Sequence, residues 1–282
     1  MRPTPRHIII CADDYGISPA VNAAIRDLIA HGRINATSVM VASPNFDSAE
    51  AAALHDVADR RAAIGLHVTL TAPFAPLSHG FAPLRHGAFL SLGATLRRAH
   101  LRTLQPDLLA TEIARQFAAF IAAFGRPPDF VDGHQHVQLF PQIRDAFLRV
   151  AKDAAPRAWV RQCGRSGPAR GRLTDHKALV LDAMSRNFRR RAAAYGLATN
   201  PAFAGTYAFR ADAAYERLFA AFLDGLPDGG VIMCHPGKVD AALVRLDTLT
   251  DLREREYAFF LDDSFPRLLA EREVGLATVA SR

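Results

Sequence analysis

The feature that most constrains the fold of this chain is an alternation of short apolar runs with longer helical patterns. The first pair consists of residues 8–12, which are apolar without interruption, and residues 19–30, whose apolar positions recur at helical spacing. Ser18 and Pro19 are typical of a helix cap and a first helical position. A short uninterrupted apolar run suits a strand covered on both faces, which is the environment of a parallel sheet.

The same pattern repeats along the chain about seven times. It predicts strands at 8–12, 36–42, 64–70, 130–136, 158–161, 231–234 and 275–279, and helices at 19–30, 47–58, 106–124, 141–154, 177–195, 211–223 and 252–273. Such units favour an α/β fold of the (β/α) barrel type with about seven parallel strands. A distorted TIM barrel is one fold of this type. An open doubly wound sheet is the alternative. It has less support because the polar residues of interest follow several separate strands.

The 282 residues are predicted to form a single domain across 1–282, since barrels of about 250 residues are common. Half of the residues are hydrophobic, which supplies a core and excludes a disordered chain. Residues 71–105 differ from the rest because they are rich in proline, glycine and histidine and lose their periodicity. We expect a long loop excursion there, which could form a wall of a substrate site.

Charge and composition narrow the partners and the compartment. The net charge is +6, with its densest part at Arg186, Arg189, Arg190 and Arg191. A solvated helix face is the simpler interpretation and no nucleic-acid motif occurs in the sequence, so no nucleic-acid partner is expected. The N-terminal apolar run is cut short by Asp13, so neither a signal peptide nor an integral membrane segment is expected, and the predicted location is cytoplasmic. Peripheral membrane contact and a homo-oligomer stay open.

Asp13 and Asp14 come directly after the first predicted strand, where a parallel sheet would end. Successive side chains of an extended chain project to opposite sides, so the two carboxylates are expected to divide two tasks. One would bind a metal ion, and the other would accept a proton from an attacking water. The alternative is structural, with one acid capping the helix that begins near Ser18 and the other exposed.

Histidines follow two further predicted strands. His67 lies within an apolar run, where an ionisable side chain costs free energy unless a partner satisfies it, so metal ligation is favoured over a bond to a backbone carbonyl. Asp132, His134 and His136 share one face if their strand stays extended. A carboxylate beside two imidazoles is typical of a site for zinc or another first-row ion. Which of the two histidines binds the ion stays open, and Asp132 could support a ligand rather than bind. The structural alternative is that these polar residues only mark a solvated strand end.

His235 follows residues 231–234 and precedes Pro236 and Gly237, so it is expected at a strand exit with a rigid bend behind it. An imidazole with an unperturbed pKa of about 6.5 can protonate a leaving amine near neutral pH, which predicts a general acid. A structural histidine bonded to a loop carbonyl is the alternative. Arg161 is a further candidate, either orienting the base or a substrate oxygen, or lying in solvent as a free charge.

Taken together, these residues resemble the YdjC-like carbohydrate deacetylase family, which includes chitooligosaccharide deacetylases and hopanoid-biosynthesis deacetylases. The resemblance spans nearly the whole chain and rests on four short motifs. They are Ala-Asp-Asp-Tyr-Gly at 12–16 with Asn22, Gly-Leu-His at 65–67, Asp-Gly-His-Gln-His at 132–136 and Met-Cys-His-Pro at 233–236. Each motif is short, but their order and spacing together are distinctive.

The resemblance implies a β/α barrel-like fold and a hydrolase that removes an N-acetyl group from an amino sugar and releases acetate. It implies one divalent ion, Mg²⁺ or Zn²⁺, with three protein ligands: Asp14, His67 and His134. Asp13 would be the base and His235 the acid. Three more residues are expected in supporting positions: Asp132, His136 and Arg161. The implied partner is an N-acetylated glycan or glycolipid, either a chitooligosaccharide or a lipid-linked N-acetylglucosamine.

Two other functions stay open. A barrel amidohydrolase acting on a different amide also uses a His-x-His pair and an acid, but it usually places the pair on the first strand, whereas the first strand here ends in two aspartates. A non-catalytic protein that binds sugar or metal would not require both a base and an acid. The larger polysaccharide deacetylase family pairs histidines four residues apart, a spacing that does not occur in this chain.

Overall fold

The computed structural model describes residues 5–166, 176–210 and 212–278. Its strands are β1 (Arg6–Tyr15), β2 (Ala36–Val39), β3 (Ala63–Val68), β4 (Phe130–Gly133), β5 (Trp159–Val160), β6 (Phe203–Ala204), β7 (Val231–Cys234) and β8 (Val274–Leu276). Its helices are α1 (Pro19–Ala30), α2 (Ser48–Ala58), α3 (Leu92–His100), α4 (Pro106–Phe124), α5 (Ile143–Ala154), α6 (His176–Ala194), α7 (Tyr215–Leu223), α8 (Ala241–Leu246), α9 (Asp251–Leu261) and α10 (Ser264–Glu271).

The strands form one curled parallel sheet in the order β5-β4-β3-β2-β1-β7-β6, with β8 paired to β1. Two contacts bring the edge strands together. Val160 forms an isolated parallel bridge with Thr199, and the N–H of Phe203 donates a 3.0 Å hydrogen bond to the carbonyl of Gly164. The prediction of a barrel-like α/β fold with about seven parallel strands is confirmed.

The centre of the sheet is β1, which pairs with both β2 and β7. Cys11 faces Ala36 on one side and Met233 on the other. Residues 10–18 are all buried, which explains why the run shows no polar alternation. Because the neighbouring strands are parallel, the polar residues that follow them meet at one end of the sheet.

Several predicted elements differ from the structure. The strand predicted at 130–136 ends at Gly133, because Gln135 and His136 adopt left-handed φ angles of 55° and 61° in a 3₁₀ segment over His134–Leu139. The helix predicted at 252–273 is two helices, α9 and α10, separated at 262–263. The excursion at 71–105 is not a loop throughout, since it contains α3. The predicted ends Ala211 and Val279 lie outside the described residues.

Other boundaries follow the sequence pattern closely. Helices 19–30 and 106–124 and strand 231–234 begin and end as predicted. Across the ranges that the structure describes, no helix is both long and apolar enough to span a membrane. The single domain over 1–282, the cytoplasmic location and the homo-oligomer stay predictions.

Candidate metal centre and active site

The ends of β1, β3 and β4 bring acids and histidines into one buried cluster. Asp13 and Asp14 lie at the end of β1, His67 lies in β3, and Asp132 lies beside His67 in the pairing of β3 with β4. Each of these four side chains is at most 2% exposed. Buried ionisable groups at such density must neutralise or bond one another, which is typical of a functional site.

The two aspartates diverge because the backbone at Asp14 is left-handed, with φ of 68°. Asp13 faces Arg161, and Asp14 faces His67 and His134. The two acids therefore contact different partners, through a turn of the backbone rather than the alternation of an extended strand. Their division into a metal ligand and a base stays a prediction. Neither acid caps α1, since that position belongs to the Ser18 hydroxyl.

Asp14 is the centre of a group that offers three metal ligands. Its Oδ1 lies 3.0 Å from Nδ1 of His134 and 3.3 Å from Nε2 of His67. One ligand atom from each of the three residues lies within 4.8 Å of the other two. Two imidazoles and one carboxylate form a donor set suited to zinc and other first-row ions.

Residues behind this group hold the donor atoms in place. Asp132 Oδ1 accepts a 2.5 Å hydrogen bond from Nδ1 of His67, which leaves Nε2 directed at Asp14. Arg253 donates a 2.6 Å hydrogen bond to Oδ2 of Asp14, which leaves Oδ1 for the imidazoles. These residues fit a divalent ion, because each candidate ligand directs one donor atom at the others. His67 is anchored through Nδ1 and Asp14 through Oδ2, so their donor atoms are held in place.

The charges of the group shift its pKa values. Burial lowers the pKa of His67, but the carboxylates of Asp132 and Asp13 outweigh burial and raise it to about 10. Burial raises the pKa of Asp14, but Arg253 and His134 outweigh burial and hold the pKa well below its usual value. The neighbouring carboxylates therefore favour the protonated form of the His67 imidazole, and a cation bound there would have to displace that proton.

Asp13 is held by Arg161 through two hydrogen bonds of 2.7 and 2.6 Å, one to each carboxylate oxygen. Arg161 also lies 3.0 Å from Asp132, and it is fully buried, so the alternative of a free charge in solvent is wrong. Burial raises the pKa of Asp13, but the Arg161 guanidinium outweighs burial and lowers the pKa far below its usual value. Ser38, from β2, donates a further 3.1 Å hydrogen bond to Asp13.

A second set of potential ligands, Cys11, Asp13 and Asp132, is poorly suited to a metal ion. The guanidinium of Arg161 already bonds or faces both carboxylates and supplies the positive charge there. Burial, followed by the charge of Asp13, raises the pKa of the Cys11 thiol well above its usual value, so the thiolate that a metal requires is disfavoured.

His136 lies apart from the Asp14 group, and the prediction that it shares a strand face with His134 is wrong. Its Nδ1 lies 3.5 Å from Sγ of Cys163, and its ring packs edge-on against Phe203 at a centroid distance of 5.7 Å. Burial and the charge of Arg161 lower its pKa to about 3, so the imidazole is neutral. Of the two histidines in the motif, the structure places His134 beside Asp14.

A cavity of about 710 Å³ opens onto these groups. Asp13, Asp14, His67, His134 and His235 all line it, and so does His136. His235 stands at the end of β7, half-buried, and its backbone N–H donates a 2.6 Å hydrogen bond to Glu256. Much of the remaining wall is apolar: Leu92, Leu96, Phe140, Leu181, Met184 and Phe209.

Arg253 and Glu256 belong to the site but were not predicted from the sequence. Both lie on α9 and are 1% exposed, yet the local sequence Asp-Leu-Arg-Glu-Arg-Glu is typical of a solvated helix face. A signal was present, since Arg253, Glu256 and the buried Phe260 follow one another at helical spacing on one face.

Comparisons with known proteins agree with this architecture. The family model described as YdjC-like protein matches residues 7–271. Two relatives named chitooligosaccharide deacetylase are similar to this chain. The one from Serratia marcescens is 31% identical over 258 residues, which cover 86% of this chain and 90% of the relative. The one from Citrobacter koseri is 30% identical over 272 residues, which cover 95% of each protein. The match to the family model contains every residue of the site described above.

A solved structure from Enterococcus faecalis, described provisionally as a cellobiose-phosphate cleavage protein, shares the fold. It aligns with a TM-score of 0.77 at 20% identity and covers 98% of each chain. At that level of identity the similarity concerns the arrangement of strands and helices.

Proposed function

This chain belongs to the YdjC-like protein family, and from that membership and the site geometry we propose that it is a metal-dependent carbohydrate N-deacetylase. The reaction hydrolyses the N-acetyl group of an amino sugar and releases acetate and a free amine. The names of two relatives support the reaction class. The observation that carries the proposal is the placement of the Asp14, His67 and His134 group, the Arg161-held Asp13 and His235 on one cavity.

Asp14, His67 and His134 would hold one divalent ion, which when bound polarises the amide carbonyl and acidifies water. Asp13 is the proposed base. Arg161 keeps its carboxylate ionised and oriented, and Oδ2 accepts one hydrogen bond among the described residues, which leaves a lone pair for the proton of the attacking water.

His235 is the proposed acid, which donates a proton to the nitrogen of the sugar as the carbon–nitrogen bond breaks. It stands at the end of β7 and lines the same cavity as Asp13, which supports the proposal that an acid and a base act in one space. Water supplies the oxygen of the acetate. Asp13 then releases its proton to solvent and His235 takes up a proton from solvent, so both groups return to their starting states and the cycle balances.

We infer that the resident ion is zinc or another first-row ion, since two of the three donors are imidazoles and Mg²⁺ prefers oxygen ligands. Elemental analysis of untreated protein tests this inference. A predominance of magnesium in protein purified without chelators would contradict it.

The substrate is proposed to be an N-acetylglucosamine-containing glycan, either a chitooligosaccharide or a lipid-linked sugar. The apolar residues that α3 and α6 contribute to the cavity, Leu92, Leu96, Leu181 and Met184, favour a substrate with an apolar portion. Comparing the turnover rates of the two substrate types with the same enzyme preparation distinguishes between them.

The deciding experiment incubates the protein with a panel of N-acetylated oligosaccharides and N-acetylglucosaminyl lipids and measures acetate. We expect release that a chelator abolishes and that added Zn²⁺ restores. The absence of acetate from the whole panel would contradict the proposal. Release of product from cyclic amides instead would favour an amidohydrolase, and sugar binding without release would favour a non-catalytic binding protein.

A further inference from the structure

The segment of residues 205–210, between β6 and α7, is held at two points beside the cavity. Gly205 has a φ of +105°, and a Cβ at this position would lie 2.1 Å from the carbonyl oxygen of Met233, so only glycine allows this approach to β7. Two residues later, the hydroxyl of Tyr207 donates a 2.6 Å hydrogen bond to Oε1 of Glu256. The segment is therefore held to β7 at Gly205 and to α9 at Tyr207.

The same carboxylate also holds His235. Oε2 of Glu256 accepts a 2.6 Å hydrogen bond from the backbone N–H of His235, while Oε1 accepts the bond from Tyr207. Glu256 itself is 1% exposed, so a misplaced partner would leave its buried carboxylate without a hydrogen bond. One side chain of α9 thus sets the position of the proposed acid and of the 205–210 segment together.

Phe209 is the residue that this arrangement presents to the cavity. Its ring lies 4.5 Å from the ring of Tyr207 and 5.7 Å from that of His235, measured between centroids. It lines the cavity, yet it is 41% exposed. An aromatic face left open beside the proposed acid, on a segment held against β7 at Gly205 and against Glu256 at Tyr207, is a prepared contact surface for a ligand.

We propose that Phe209 is the platform on which the sugar ring of the substrate packs, and that Glu256 is the positioning residue for both Phe209 and His235. The inference rests on the proposed function, because it takes the ligand to be a sugar. The C–H bonds on one face of a pyranose are apolar and slightly positive, and they complement the negative face of an aromatic ring. Packing there would place the ring next to the imidazole that protonates its nitrogen.

The first test measures sugar binding without turnover. In the zinc-loaded Asp13→Asn protein, we expect adding Phe209→Ala to raise the calorimetric Kd for a chitooligosaccharide about tenfold, or ~1.4 kcal/mol. Adding Phe209→Trp should keep Kd within about threefold, because an aromatic face remains. Adding Leu84→Ala is the control, since Leu84 is 38% exposed and is not among the described residues that line the cavity. An unchanged Kd with Phe209→Ala, or an equal rise with Leu84→Ala, would overturn the platform.

The second test separates the two contacts of Glu256 by kinetics in the otherwise native, zinc-loaded enzyme. Tyr207→Phe removes only the bond to the 205–210 segment, so we expect KM to rise about threefold with kcat nearly unchanged. Glu256→Ala releases His235 as well, so KM should rise and kcat should fall at least tenfold, with Glu256→Gln restoring most of both. If Glu256→Ala does not fold, Tyr207→Phe decides. An unchanged KM in Tyr207→Phe would overturn the positioning role.

Failure of the platform and failure of the proposed function can be told apart by these measurements. Acetate release by the unsubstituted enzyme tests the reaction, whereas the Kd series tests the platform in a protein that does not turn over. An enzyme that releases acetate while Phe209→Ala leaves Kd unchanged would keep the reaction and reject the platform. Sugar binding that depends on Phe209 without acetate release would keep the platform and reject the reaction.

Discussion

Arg253 donates a 2.6 Å hydrogen bond to Oδ2 of Asp14 across 239 residues of sequence. The Arg253 guanidinium also donates a 2.6 Å hydrogen bond to Asp247, and the Arg253 side chain is fully buried. This contact offsets part of the cost of burying the Asp14 carboxylate and leaves its other oxygen facing His67 and His134. The geometry of the proposed metal group therefore depends on α9 as much as on the strands that carry the ligands.

Asp13→Asn is expected to retain the metal and lose turnover. Asp13 lies outside the Asp14 group, so metal content measured by elemental analysis should match the parent protein. Loss of the proton acceptor should lower kcat by about 10²- to 10⁴-fold. Asp228→Asn, at an exposed site bonded to the His7 N–H, is the matched control and should change neither quantity. Loss of metal from Asp13→Asn would mean that the roles of the two acids are reversed.

Asp132→Asn is expected to lower metal affinity by about 10- to 100-fold, because the carboxylate that orients His67 and makes its ring more basic is neutralised. Competition with a chromophoric chelator measures the change. Asp129→Asn is the control, since Asp129 precedes the same strand at its opposite end and pairs with Arg126. Equal affinity in the Asp132 variant and the parent would contradict the supporting role.

Metal binding is expected to release a proton. The pKa of His67 is raised to about 10, so the metal-free imidazole is protonated at neutral pH and a cation must displace that proton. Affinity should therefore increase about tenfold per pH unit between pH 7 and 9 and level off above pH 10. Calorimetry in two buffers with different ionisation enthalpies counts the released protons at pH 7.5. A count of zero would contradict the prediction.

The same pKa shift has a consequence for the stability of the metal-free protein. Because the folded-state pKa of His67 lies above its unfolded value of about 6.5, its stabilising contribution is complete below that value. It is lost as pH rises through about 10. Urea unfolding of chelator-treated protein at pH 6 and pH 9 should show lower stability at pH 9, with a smaller difference in the metal-loaded protein.

Gly205→Ala is expected to destabilise the protein by about 3 kcal/mol, because the new Cβ would overlap the Met233 carbonyl and the φ of +105° is strained for alanine. Gly32→Ala is the matched control. Its φ is +64°, and a Cβ there meets no heavy atom of the described residues within 4 Å, so it should cost about 1 kcal/mol. Urea unfolding compares the two variants, and equal losses would show that the contact with Met233 is unimportant.

The periodicity of the sequence was a good guide where packing follows local pattern. α1 and α4 begin with proline and present a regular apolar face, so their bounds matched the predictions. The sequence was misleading at 130–136, where a strand that stayed extended would have placed Asp132, His134 and His136 on one face. There the backbone turns left-handed at Gln135 and His136, so that His134 reaches Asp14 and His136 reaches Cys163.

The order of apolar and polar residues was enough to establish a parallel β/α architecture and to mark strand ends as the place of the chemistry. Parallel strands direct their carboxyl ends to one side, so polar residues that follow separate strands must meet. The resemblance implied His134 as the third ligand, and the folded molecule shows why His134 and not His136 lies beside Asp14 and His67. Only the folded molecule shows that Arg161 and Arg253 each bond one of the paired aspartates and that Glu256 accepts a hydrogen bond from the His235 N–H. These contacts join residues far apart in the chain through side-chain directions and a left-handed turn, and no local pattern encodes them.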